Sequence, residues 1–129
     1  MPEALTRHEL VRAAWDGLDA GKVWDSHCHL AGNGDSGSGI RINPVTEGLG
    51  DPLGYAQRLF FLNAACAQDA PGQVDRSYVE RMRALMRDLP PGTKLLLLAF
   101  DAAVSTAGAV SWEQTSLYVP NAYAAQIAR

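Results

Sequence analysis

Apolar positions change period several times along the chain, and each change marks an element. Leu10, Val11, Ala14, Trp15 and Leu18 recur at helical spacing. Thr6-Arg7-His8-Glu9 forms a capping box ahead of them, and Gly21 stands where a left-handed terminator is wanted. The spacing therefore predicts a helix from Thr6 to about Ala20. Between Lys22 and Leu30 the period becomes two. Val23, Asp25, His27 and His29 fall on one face of an expected strand, and Trp24, Ser26, Cys28 and Leu30 on the other. Residues 31–51 contain six glycines among Asn, Asp and Ser, a composition suited to turns and positive φ values. They read as a long surface loop facing a substrate, because it leaves directly from the strand with the two histidines.

Asp51-Pro52 pairs an N-cap with proline at the first helical position, predicting a helix over Leu53 to Cys66 that buries Leu59, Phe60 and Leu62. Ser77-x-x-Glu80 is a second capping box. Val79, Met82, Leu85, Met86 and Leu89 follow it as an apolar stripe, with Arg76, Arg81, Arg83 and Arg87 on the solvated face and Pro90-Pro91-Gly92 as the stop. Lys94 to Asp101 (KLLLLAFD) is a short apolar run, the pattern of a parallel strand buried on both faces. Residues 102–118 carry no regular pattern, and Pro120-Asn121 leads into a helical stretch, Ala122 to Arg129. Strands separated by helical connections imply βαβ units, hence an α/β fold with a parallel sheet. Two strands do not complete such a sheet, so residues 1–129 are expected to be a single, incomplete domain.

Composition narrows the setting. The 129 residues are 47% hydrophobic and 19% charged, enough for both a core and a wet surface. A net charge of −3 gives no reason to expect nucleic acid or anionic lipid as a partner. The amino terminus lacks the layout of a signal peptide, no apolar run reaches the length of a membrane span, and a cytoplasmic location is expected by default. Cys28 and Cys66 are too few for a disulfide framework and too far apart for a CxxC site, so both are expected as reduced thiols.

The chemistry concentrates in one stretch. Residues two apart on a strand lie about 6.5 Å apart on one face, so His27 and His29 can converge on one ion as half of a metal site. A hydrolytic metal needs about three protein ligands and an open water position. Asp25, one step further along the same face, is a candidate for orienting a ligand or for reaching the ion. Asp101, at the end of the second strand, is a further candidate, weighed against a role as a helix cap or loop anchor. His8 belongs to the first helix as a surface residue, and Cys28 should point away from the histidines toward the helices, for packing. Asn33-Gly34-Asp35-Ser36-Gly37 suggests a phosphate cradle but lacks the lysine and spacing of a P-loop, which favours a flexible loop.

Trp24-Asp25-Ser26-His27-Cys28-His29-Leu30 resembles the first-strand signature of metal-dependent amidohydrolases. The stretch from Thr115 to Tyr123 is similar to the start of the second helix in the amidohydrolase-related branch, which includes hydrolases and decarboxylases. The resemblance implies the N-terminal part of a (β/α)8 TIM-type barrel, with His27 and His29 holding a divalent ion, zinc for preference. It further implies metal-activated water acting on an amide, ester or lactone bond of a small-molecule substrate. The family's remaining ligands and its aspartate base come from later strands and have no counterpart in this chain, which is therefore expected to be a partial sequence and inactive alone. Two alternatives stand beside this. One is a truncated, non-catalytic chain with at most a binding role. The other is a TatD-like metal-dependent DNase, whose motif is similar but whose second strand follows sooner than Lys94 does here. A homo-oligomer is left open.

Overall fold

The computed structural model describes residues 3–44, 50–67 and 70–129. Its elements, in chain order, are α1 (Glu3–Thr6), α2 (Glu9–Ala13), a 3-10 turn (Ala20–Lys22), β1 (Trp24–His29), β2 (Arg41–Ile42), α3 (Pro52–Ala64), α4 (Val74–Arg87), β3 (Lys94–Leu98), β4 (Leu117–Tyr118) and α5 (Asn121–Ile127). β1 and β3 pair in parallel, and β2 and β4 pair antiparallel. The molecule is thus mixed α/β with a few short strands, and no closed barrel forms among the described residues. No helix of the described residues is long and apolar enough to cross a membrane.

Leu30, Ile40, Val79, Val119 and Ala124 form the buried core, flanked by Tyr78, Met82, Leu97, Phe100, Leu117 and Tyr123. One face of the β1–β3 pair, α4, α5 and the segment after β1 therefore meet around Leu30, which is fully enclosed. Burying each large aliphatic side chain there contributes about 1.5–3 kcal/mol. The other face stays open. Leu96 is 47% exposed, so β3 is covered on one side only, contrary to the expectation from its continuous apolar run.

Several elements differ from their sequence pattern for local reasons. The predicted first helix shortens to α2, and its expected N-cap, Thr6, is instead the last residue of a separate short helix, α1. His8 caps α2 by accepting a hydrogen bond from Leu10 N–H at Nδ1 (3.2 Å). α2 ends at Ala13 with Ala14 as its C-cap, and the left-handed glycine lies in the turns beyond it at Gly17 (φ +74°), four residues before the glycine that the pattern favoured. Gly21 instead lies in the 3-10 turn, where its N–H donates to Asp19 Oδ1 (3.0 Å). α3 starts as expected, with Asp51 accepting from Gly54 N–H (3.0 Å) and Pro52 in the first turn. It buries nothing, however: Phe60 is 68% exposed and Leu59 38%, and only Leu62 of the expected trio is half-buried.

The long connection after β1 is not a free loop. Asp75, in the first turn of α4, is fully buried. Its carboxylate accepts hydrogen bonds from the N–H groups of Asn33 (2.8 Å), Gly34 (3.0 Å) and Ser36 (3.3 Å) and from the hydroxyls of Ser36 (2.8 Å) and Ser38 (2.6 Å). Asp35 returns the contact, its carboxylate accepting from Val74 N–H (2.9 Å) and Asp75 N–H (3.2 Å). That reciprocal bond caps α4 from outside the helix, which is why α4 begins at Val74 and not at the Ser77 box. Ser77 turns its hydroxyl back to Val74 O (3.2 Å). Gly32 is required here, since a β-carbon would run into Asp75 Oδ1. Ile40 then enters the core and β2 pairs with β4, in a stretch, 102–118, that showed no strand pattern. Of the expected loop, residues 45–49 lie outside the described residues.

Burial alone would push the Asp75 carboxyl upward, but the hydroxyls of Ser38 and Ser36 and the N–H groups of Gly34 and Asn33 together hold it below the ordinary carboxylate value. Its folded pKa being depressed, the stability it contributes is complete above the ordinary aspartate value of about 3.9 and is lost as pH falls through the lower folded value. Urea titrations should show Asp75→Ala destabilised by about 3–4 kcal/mol, the range for breaking a buried charge network. Acid titration of Asp75→Asn should lack the component of acid unfolding below about pH 4 that the native carboxylate supplies.

Candidate functional site

β1 presents His27 and His29 at its carboxyl end, on the open face of the sheet. Their ring centroids are 4.8 Å apart at an interplanar angle of 71°. His27 is exposed and His29 half-buried. The His29 ring stacks on Phe100 (4.2 Å, 20°), and its backbone carbonyl accepts a hydrogen bond from the Tyr78 hydroxyl of α4 (2.8 Å). One ring face and the main chain of His29 are thereby fixed. Among the described residues its Nδ1 is enclosed without a hydrogen-bond partner.

Asp25 does not share that face. The ladder pairs Asp25 with Leu95 and Cys28 with Leu97, leaving Ser26 and His27 of β1 opposite the single Leu96 of β3, which is a β-bulge. Partners in a parallel ladder project to one face, so the extra residue moves Asp25 into the row of Cys28 and Leu97. The Asp25 carboxylate accepts from His27 N–H (3.1 Å), bracing the bulge from its own strand. Strict alternation, which had grouped Asp25 with the histidines, fails at this inserted residue. Cys28 faces α4, its Sγ 3.7 Å from Met82 Sδ. Burial first, and the Asp25 charge second, push the Cys28 thiol up, so it stays protonated at neutral pH. Asp101 is exposed just beyond β3, and His8 is spent on capping α2.

The fit to a metal ion rests on the histidine pair. Zinc binds imidazole nitrogen at about 2.0–2.1 Å, so two rings sharing an ion at about 90–110° have centroids roughly 4.5–5.2 Å apart. The observed 4.8 Å falls in that interval. Among the described residues no group of three or more His, Cys, Asp and Glu side chains gathers around one point, so the described part of the site is the pair His27 and His29. The pair lies on the open face of the sheet. The 390 Å³ cleft between α4 and α5, lined by Arg76, Arg83 and Tyr123 among others, includes neither histidine.

Phe100 and Tyr78, which hold His29, were not singled out by sequence pattern. For Phe100 a signal existed, since it follows Leu98, the register partner of His29, by two residues on the same face. Tyr78 carried none, because its contact depends on how α4 crosses the sheet. No family model, curated protein or solved structure matches the chain.

Removing the carboxylate at the bulge tests the assignment of Asp25 to the strand itself. Asp25→Ala should cost about 0.5–1 kcal/mol in chemical denaturation, with Asp25→Asn recovering most of it through its remaining carbonyl oxygen.

Proposed function

We propose that the chain forms the first βαβ portion of a metal-dependent hydrolase of the amidohydrolase-related family, built on a (β/α)8 barrel. The observation that supports this most is the adjacency of His27 and His29 at the carboxyl end of a strand in a parallel pair, where barrel enzymes place their chemistry. The open face of β1 and β3 carries both histidines, as the interior of such a barrel would. A divalent ion such as zinc, when bound, lowers the pKa of a coordinated water and polarises a substrate carbonyl. His27 and His29 would hold it. Phe100 and Tyr78 orient His29, and Asp25 holds the backbone of His27 through the bulge. A third ligand and the base that takes the water's proton would come from further strands. The substrate class is a small molecule with an amide, ester or lactone bond.

Zinc titration by calorimetry, with metal content after dialysis, tests the half-site. One ion per chain is expected, with binding lost in His27→Ala and in His29→Ala and retained in Asp25→Asn. Unchanged metal content in both histidine variants would sink the reading. The intact mass of the native polypeptide tests the barrel. A mass well above 13.9 kDa, approaching the roughly 250 residues of a barrel, is expected.

A further inference from the structure

We infer that the cavity beside β2 and β4 is a binding site for a small monocarboxylic acid with an apolar body, its carboxylate held by Arg41. The cavity measures 290 Å³ and is walled by Ile42, Pro44 and Trp112, with Asn33 and Thr115 also on its lining. That volume is close to the ~300 Å³ at which small-molecule sites begin, so the occupant is the size of a single substituted ring. Apolar walls with a few converging polar groups are the ordinary make-up of such a site.

The polar side chains on the lining decide the chemistry of the ligand. Arg41 is a permanent cation. Its guanidinium carbon lies 4.6 Å from the centroid of the Trp112 ring, and that ring stands edge-on to Tyr118 (5.4 Å, 80°), the residue opposite Arg41 in the β2–β4 ladder. Stacking holds the guanidinium in place without using its N–H groups, and among the described residues it has no ion-pair partner. Asn33 Oδ1 already accepts from Asp35 N–H (3.1 Å), which leaves its NH2 to offer. The Thr115 hydroxyl is spent, donating to Ser111 O (2.6 Å) and accepting from Ala103 N–H (3.0 Å). Trp112 adds an indole N–H, a donor only. The uncommitted side-chain groups on this lining are therefore donors, one of them cationic, and among the described residues no carboxylate lines the cavity. Such a set selects an acceptor with negative charge. One guanidinium balances one charge, and its planar fork matches the two oxygens of a carboxylate; a phosphate group brings about 1.5–2 charges to the same single cation. The larger cleft between α4 and α5 differs, since Glu80 lies on its lining between Arg76 and Arg83. Asn33 follows His29 by four residues, but the carboxylate site stands on its own donors and not on the metal reading of the histidines.

Benzoate titrated into the isotope-labelled chain and followed by two-dimensional NMR should shift the Trp112 indole and Arg41 Nε resonances. Benzamide, its uncharged counterpart, should bind about 10–100-fold more weakly, the worth of a hydrogen bond to a charged group. Arg41→Gln should lose benzoate affinity by the same factor, and Arg41→Lys, which keeps the charge without the fork, should lose part of it. Arg83→Gln, in the other cleft, and His27→Ala should bind benzoate as the wild type does. Arg41→Gln should leave zinc uptake at the wild-type level, so the carboxylate site and the metal half-site succeed or fail separately. Should Arg41→Gln lose its fold by circular dichroism, Arg41→Lys and the benzamide comparison carry the test. No shift at Trp112 or Arg41 with millimolar benzoate, equal binding of benzamide, unaltered binding in Arg41→Gln, or inorganic phosphate displacing benzoate at equal concentration would each overturn the inference.

Discussion

One buried carboxylate organises this molecule. Asp75 sits fully enclosed where α4 begins, and it is tolerable there only because five donors from residues 33–38 converge on it. The loop needs the anion as much as the anion needs the loop. A glycine-rich segment with several N–H groups pointing inward would otherwise pay a desolvation penalty for each. The same contact fixes the start of α4 through Asp35, places Val79 and Tyr78 against the sheet, and brings Ile40 into the core. Tyr78 in turn holds the main chain of His29. The order of the candidate site thus descends from a contact on the far side of the sheet.

That chain of dependence explains what sequence could and could not tell. Elements defined by local chemistry were legible: the Asp51-Pro52 start of α3, the apolar run of β3, the α/β alternation and the parallel pairing of β1 with β3. The segment from Asn33 to Gly37 was read as a cradle without its phosphate. It is an anion cradle, and the anion is the protein's own aspartate some forty residues on. Nothing local in the sequence around Asp75 distinguishes it from an ordinary acidic residue in a first helical turn. The clue lay in the partner, a run of glycines and serines rich in N–H and hydroxyl donors.

The histidine pair was legible because its signal is two residues long and strand geometry is regular over that distance. Asp25 lay only two residues further back, yet one inserted residue intervened, and alternation carries no information across a bulge. The exposed face of α3 was misread for a different reason. Periodicity reports that a helix has an apolar side; whether that side finds the core of its own chain is settled by the connections at its ends.

The bonds at Asn43 and at Val74 have a consequence for how this chain can change. Asn43 is tied to the β4 side through Ser116 O and Glu113 O, and Val74 to Asp35, so α3 belongs to an excursion of the chain whose two ends are pinned. None of α3 is fully buried, and little of the core depends on it. The entropy of closing such an excursion grows only logarithmically, about 0.6 kcal/mol for each doubling of its length. Lengthening, shortening or replacing it would leave Asp75 and the strand with the histidines in register. In evolutionary terms the excursion is a cassette, free to diverge while the scaffold that holds it stays constant.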